Sequence, residues 1–105
     1  MEKKYCLVFD DVILKQLRQA GKNKHVRAFI IKIFDKLEEK GPEVGKLLDA
    51  KLHIYEIKVK RPPLRLYFKH NLGSGEIYVF EYEMKSSKKK QQKTISRLRR
   101  KISES

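Results

Sequence analysis

The residues best suited to chemistry are two cations and a carboxylate. Glu56 and Lys58 lie in the run Ile54-Tyr55-Glu56-Ile57-Lys58-Val59, and Arg65 lies in the run Leu64-Arg65-Leu66-Tyr67-Phe68. Lys60-Arg61-Pro62-Pro63 separates the runs, and prolines, which cannot donate to a ladder, suit a turn there. If the runs pair as antiparallel strands with Lys58 opposite Arg65, one face collects Tyr55, Ile57, Val59, Leu64, Leu66 and Phe68. The other collects Ile54, Glu56, Lys58, Arg65, Tyr67 and Lys69. A slip of one residue would mix these sets, so the hydrophobic pattern selects this register. Like charges directly opposite each other are locally destabilising. With Glu56, Tyr67 and Glu81 beside them, they can hold a phosphate and move protons. The plainer reading is an open, solvated sheet face with surface ion pairs.

A second cationic feature is the tract Lys85 to Lys101. It carries Lys85, Lys88, Lys89, Lys90, Lys93, Arg97, Arg99, Arg100 and Lys101 and no acid. Ile95, Leu98 and Ile102 recur through it at helical spacing, which ties it to a core and distinguishes it from a solvated tail. That apolar side is too narrow, and lacks Trp or Phe, for a helix lying on a membrane. Lys88, Lys89, Lys90, Lys93, Arg97 and Arg100 are the candidate RNA-binding residues.

The histidines give weaker signals. In the register above, His53 and His70 are cross-strand neighbours at the strand ends, on the core side and away from the cations. A structural role suits them better than acid–base work. His25 falls early in a helix, and none of the three has a metal-ligand spacing to a cysteine or another histidine.

These residues need elements to place them. Tyr5 to Phe9 reads as a first strand. Asp10 or Asp11 can cap a helix carrying Val12, Ile13, Leu17 and Ala20, which Gly21 ends. Asn23 opens a second helix with an apolar stripe of Val26, Phe29, Ile30, Ile33, Phe34 and Leu37, stopped by Gly41-Pro42. Gly45 to Lys51 reads as a connection. The two strands follow, then a turn at Asn71 to Gly75 and a strand from Glu76 to Met84. If Tyr78, Phe80 and Tyr82 join the core face, Glu81 falls opposite or diagonal to Arg65. Lys85 to Lys90 reads as a basic loop and Gln91 to Ile102 as the last helix. The expectation is a single α+β domain, residues 1–105, in the order β-α-α-β-β-β-α. Its sheet is largely antiparallel and four-stranded, with a helix hairpin on one face and a C-terminal basic helix.

Composition agrees with a folded, anion-binding protein. The 105 residues are 40% hydrophobic, and 26 Lys and Arg against 13 Asp and Glu give a net charge of +13. Self-repulsion of that size calls for an anionic partner. A single cysteine, Cys6, excludes an intramolecular disulfide and suits a reducing compartment. No run approaches the roughly 20 apolar residues of a membrane span, and Met1 to Phe9 lacks the apolar core of a signal peptide. The expected location is the cytoplasm.

In element order and in three runs, the sequence resembles the RelE/HigB branch of bacterial and archaeal toxin–antitoxin systems, within the RelE/ParE superfamily. The runs are Ile54 to Val59, Leu64 to Phe68, and Phe80 to Met84 with Lys85-Ser86-Ser87-Lys88-Lys89 and Thr94-Ile95. The resemblance implies a ribosome-associated messenger-RNA endonuclease, neutralised by an acidic cognate antitoxin and needing no cofactor or metal. In that chemistry the 2′-hydroxyl attacks the adjacent phosphate. Position by position, it implies that Arg65 clamps the phosphate, with Lys58 in a similar role. Glu56 becomes the candidate proton acceptor, and Lys85 and Lys88 contact phosphate or ribosomal RNA. The chain departs from the pattern twice. It has Lys58 where the family has arginine, and Lys90-Gln91-Gln92-Lys93 where some members carry a Tyr or His. Two other readings compete. One is a non-catalytic RNA- or ribosome-binding module resembling a double-stranded-RNA-binding domain. The other is a toxin-like protein acting through protein contacts, as relatives that poison gyrase do.

Overall fold

A computed structural model describes residues 4–85 and 87–104, the side chain at position 22 excepted. Residues 1–3 of the first segment and Ser86 of the expected basic loop lie outside the described residues. The elements are β1 (Leu7–Phe9), α1 (Asp11–Gln19), α2 (Lys24–Lys40), β2 (Lys46–Asp49), β3 (Ile54–Val59), β4 (Leu64–His70), β5 (Ile77–Met84) and α3 (Lys88–Ser103).

Local chemistry sets the helix ends. Asp10 caps α1 by accepting from the Val12 amide at 3.0 Å, and Asn23 caps α2 by accepting from Val26 at 3.3 Å. Gly41 stops α2 at φ 69°, in the left-handed region, with Pro42 behind it. A side chain at position 41 would also strike the Tyr5 ring, since a Cβ there would lie 2.3 Å from it. Ser87 caps α3, its hydroxyl accepting from the Lys90 amide.

The sheet corrects the expected architecture. It has five strands in the order β1-β5-β4-β3-β2, and it is mixed because β1 runs parallel to β5. The element order is therefore β-α-α-β-β-β-β-α. The extra strand, β2, falls in the stretch read as a connection. It is a short edge strand whose pairing with β3 shifts register between Leu47 and Asp49, which erases the alternation that would reveal it. The C-terminal helix starts at Lys88 rather than Gln91, so Lys88, Lys89 and Lys90 form its first turn and not a loop.

The central register is the expected one, with Lys58 opposite Arg65 and Glu56 opposite Tyr67. Ile57, Leu64, Leu66 and Phe68 pack against Ile13, Val26, Ile30, Ile33, Phe34 and Leu37 of the helix hairpin. The other face is not the open, solvated surface expected. α3 covers it, and Tyr67, Phe80, Ile95 and Leu98 form a second core there. A β-bulge explains the error. The pairing moves from Tyr67–Glu81 to Phe68–Val79, leaving Phe80 as an extra residue. Tyr78 and Phe80 consequently face α3, while Tyr82 joins the hairpin side. A five-stranded sheet covered on both faces also excludes the double-stranded-RNA-binding architecture considered from sequence.

Candidate functional site

Three strands place six polar side chains in two rows beneath α3. Across β3, β4 and β5 the first row is Lys58, Arg65 and Glu83, and the second is Glu56, Tyr67 and Glu81. The period of two along each strand puts all six on one face.

Burial makes the centre of this array unusual. Glu56 is 1% exposed, and the Arg65 side chain is 11% exposed. Arg65 Nε lies 3.9 Å from Glu56 Oε2, and Lys58 Nζ lies 3.7 Å from Oε1. Both separations allow charge attraction and neither is a hydrogen bond. Arg65 Nε and Nη1 and Glu56 Oε1 are buried without a hydrogen-bond partner. Buried polar groups are nearly always satisfied, so such a cluster calls for an explanation, an absent ligand or ion among them. Lys58 is half exposed and forms the open side of the group.

α3 is held on this face by polar contacts as well as by Ile95 and Leu98. Gln91 Nε2 donates to Glu56 Oε2. The Thr94 hydroxyl donates to Glu83 Oε2 at 2.7 Å, and the Tyr67 hydroxyl donates to Oε1 of the same carboxylate at 2.6 Å. Arg97 grips Glu81 through both terminal nitrogens. Arg99 Nε donates to Asp49 at 2.8 Å, and Lys101 donates to both oxygens of Asp10 at 2.7 and 2.8 Å. Burial, reinforced by the bond to Glu83, pushes the Tyr67 phenol far above its ordinary range, so it stays protonated. Burial and the bond to Asp10 push Tyr78 up to about 12. Burial raises Asp10, but Lys101, Tyr78 and the Val12 amide outweigh it and hold the carboxyl below its ordinary value.

The structure thus brings Glu56, Lys58 and Arg65 together. Lys85 follows β5, and its amide donates to the Pro63 carbonyl at 2.8 Å, which places it beside the β3–β4 turn. Lys88, Lys89, Lys90, Lys93 and Arg100 are exposed on α3. Lys89, Lys93, Arg97 and Arg100 line an open groove on its solvent side, with Gln92 and Ser96 between them. Arg97 is already committed to Glu81, so its charge is partly neutralised within the chain. His53 and His70 meet at the far end of the sheet, where the His70 amide donates to the His53 carbonyl. His53 holds a left-handed φ of 55°, and His70 meets the Tyr5 ring edge-on, away from Glu56, Lys58 and Arg65. Gln91 and Thr94 were not among the site residues expected from sequence, although Thr94 lies in a run that carries the resemblance and Gln91 where some members have a Tyr or His. Neither residue type signals a site, and only the docking of α3 brings them to Glu56 and Glu83. No group of three or more His, Cys, Asp or Glu among the described residues could hold a metal ion. None of the helices described is long and apolar enough to cross a membrane.

No protein-family model matches the chain, and no curated protein does. Solved structures do. One chain of the intact Escherichia coli RelBE toxin–antitoxin complex is 26% identical, covering 79% of this chain and 99% of that one, with a TM-score of 0.61. The isolated E. coli RelE toxin is 24% identical over 90% of this chain and 98% of its own, with a TM-score of 0.63. A mutant of RelE in the free state is 21% identical over 90% and 97%, with a TM-score of 0.69. The chain has the fold of the RelE toxins.

Proposed function

We propose that the protein is the toxin of a toxin–antitoxin pair and that it cuts messenger RNA on the ribosome, in the cytoplasm. The observation that carries this reading is the Arg65 guanidinium, whose Nε and Nη1 are buried without hydrogen-bond partners beside half-exposed Lys58 and buried Glu56. Preorganised cations in a water-poor site stabilise charge that grows in a transition state. A phosphate entering from the Lys58 side would meet Arg65. Glu56 Oε1, which has no hydrogen-bond partner and lies 3.7 Å from Lys58 Nζ, would accept the proton of the attacking 2′-hydroxyl. The new oxygen–phosphorus bond forms as the bond to the 5′ oxygen breaks. That oxygen takes a proton from the Lys58 ammonium or from solvent. The products are a 2′,3′-cyclic phosphate and a 5′-hydroxyl, and the step needs no metal.

Lys85 at the strand end and Lys88, Lys89, Lys90, Lys93 and Arg100 on α3 supply the docking charge for messenger and ribosomal RNA, with Arg97 at the edge of that surface. The neutralising partner is an acidic antitoxin. The structural neighbours described as toxin–antitoxin complexes support it, and so does a net charge of +13.

Induced expression followed by mapping of mRNA 5′ ends tests the reading. New ends should appear with the wild-type chain and vanish with Arg65→Ala, which leaves the hairpin-side core untouched. Full cleavage by a folded Arg65→Ala protein would remove Arg65 from the site. One observation favours a second reading, non-catalytic binding of RNA or the ribosome. The first turn of α3 offers Gln91, which has no titratable proton, to the centre of the site. Translation inhibition without any new 5′ end would select that reading.

A further inference from the structure

Arg65, with Nε and Nη1 buried, poses a physical problem. Two carboxylates flank it, Glu56 diagonally on β3 and Glu83 directly opposite on β5. Unpaired buried donors next to carboxylates should close into ion pairs, because both partners gain hydrogen bonds and lose nothing to solvent. Arg65 Nε comes within 3.9 Å of Glu56, but neither Nε nor Nη1 makes a hydrogen bond to either carboxylate. Helix α3 engages both carboxylates. Gln91 occupies Oε2 of Glu56, which is the oxygen nearest Arg65 Nε. One turn further on, Thr94 and the Tyr67 hydroxyl together occupy both oxygens of Glu83. Ser87 anchors that first turn as its N-cap.

We infer that Gln91 is a positioning residue: by holding the Glu56 carboxylate it keeps the Glu56–Arg65 ion pair at 3.9 Å, short of hydrogen-bond contact, and leaves the guanidinium open for an RNA phosphate. Thr94 holds the Glu83 carboxylate in the same way. Gln91 itself touches neither the phosphate nor the reacting hydroxyl. It acts through Glu56, whose other oxygen, Oε1, makes no hydrogen bond and lies 3.7 Å from Lys58 Nζ. This inference rests on the reading of Arg65 as the phosphate clamp.

A structural hydrogen bond and a spacer of this kind make opposite predictions about stability. If Gln91 only fastened α3, Gln91→Ala would lower the melting temperature. If it holds the pair apart, the variant's Glu56–Arg65 pair tightens from 3.9 Å to a hydrogen-bonded one, and alanine is a good helix former in place of glutamine. The experiment uses the full chain and a short single-stranded 2′-O-methyl oligoribonucleotide, which cannot be cleaved because it lacks the 2′-hydroxyl. Affinity and melting temperature are measured for wild type, Gln91→Ala, Glu56→Gln with Gln91→Ala, and Arg65→Ala. The expected result is about tenfold weaker binding by Gln91→Ala, the size of one lost charge-assisted contact, with an equal or higher melting temperature. The double variant should recover the affinity, because a neutral glutamine at position 56 cannot compete for Arg65 as a charge. Unchanged affinity in Gln91→Ala, while Arg65→Ala loses it, overturns the inference alone. So does a loss of affinity that comes with a lower melting temperature and is not recovered by the double variant. Wild-type affinity in Arg65→Ala overturns the phosphate-clamp reading and the inference with it.

Discussion

Arg65 Nε stands 3.9 Å from Glu56 Oε2, across adjacent strands and under the first turn of α3, and no hydrogen bond joins them. Opposite charges this close in a poorly solvated space attract strongly. The gap between them is therefore the feature of the site that most needs other residues to maintain it. It also lets the two groups be separated experimentally.

Glu56→Gln should split binding from chemistry. The side chain keeps its shape and can still bond Gln91 through its amide oxygen. It loses the negative charge that competes with phosphate for Arg65 and Lys58 and the basicity needed to accept a proton. Cleavage should fall by about 10²- to 10⁴-fold, the usual size of a general-base contribution. RNA affinity should hold or rise. Single-turnover cleavage with a separate binding titration checks both. Loss of affinity together with cleavage would mean that Glu56 organises the site without serving as the base.

The two faces of the sheet show how far the sequence could be read. The pairing of Lys58 with Arg65 followed from alternation, because one face of β3 and β4 is uniformly apolar and a register slip would break it. The covering of the other face did not follow. Its centre holds Glu56, Arg65, Tyr67 and Lys69, which read as a solvated surface, and its apolar share comes from Phe80 through a bulge. Alternation counted through a bulge gives the wrong parity on one side of it. β2 was invisible for a related reason, since a short edge strand with a register shift has no period to detect. The roles of Gln91 and Thr94 were not legible because amides and hydroxyls are informative only beside the groups they bind.

Leu98→Ala should report on α3 independently of the rest of the fold. Leu98 is fully buried between α3 and the sheet, in a core separate from that of the helix hairpin. A buried Leu-to-Ala change costs about 2–5 kcal/mol. That is a large share of what three apolar residues on one helix can contribute. Hydrogen exchange should show α3 amides losing protection while α2 keeps its own. Equal loss in both helices would show one cooperative unit instead.

Acid should loosen the C-terminal end of α3. The Asp10 carboxyl is held below its ordinary value, so its bonds to Lys101 and Tyr78 favour the folded state whenever it is ionised. A depressed folded value means the unfolded chain binds the proton more readily. The contribution is complete above the ordinary aspartate value of about 3.9 and is lost as the pH falls through the lower folded value. Asp10→Asn should reproduce the loss at neutral pH and flatten the acid dependence. Melting temperatures of the two proteins from neutral pH to strong acid measure this. Parallel curves would remove Asp10 as the source.

The exposed cations of α3 should govern affinity without governing chemistry. Lys89, Lys93 and Arg100 line one open groove, and among the described residues none of the three is paired with an acid. Each phosphate neutralised on a single strand contributes about 0.7 to the slope of log affinity against log salt. Replacing all three with alanine should reduce that slope by roughly two units if each meets a phosphate. Cleavage at saturating RNA should stay near wild type, because the groove lies on the solvent side of α3 and Glu56 and Arg65 lie beneath it. Arg97→Ala should behave differently. It strips Glu81, which is 5% exposed, of its partner, so it should lower stability as well as affinity. An unchanged salt slope in the triple variant would move the RNA-docking surface off α3.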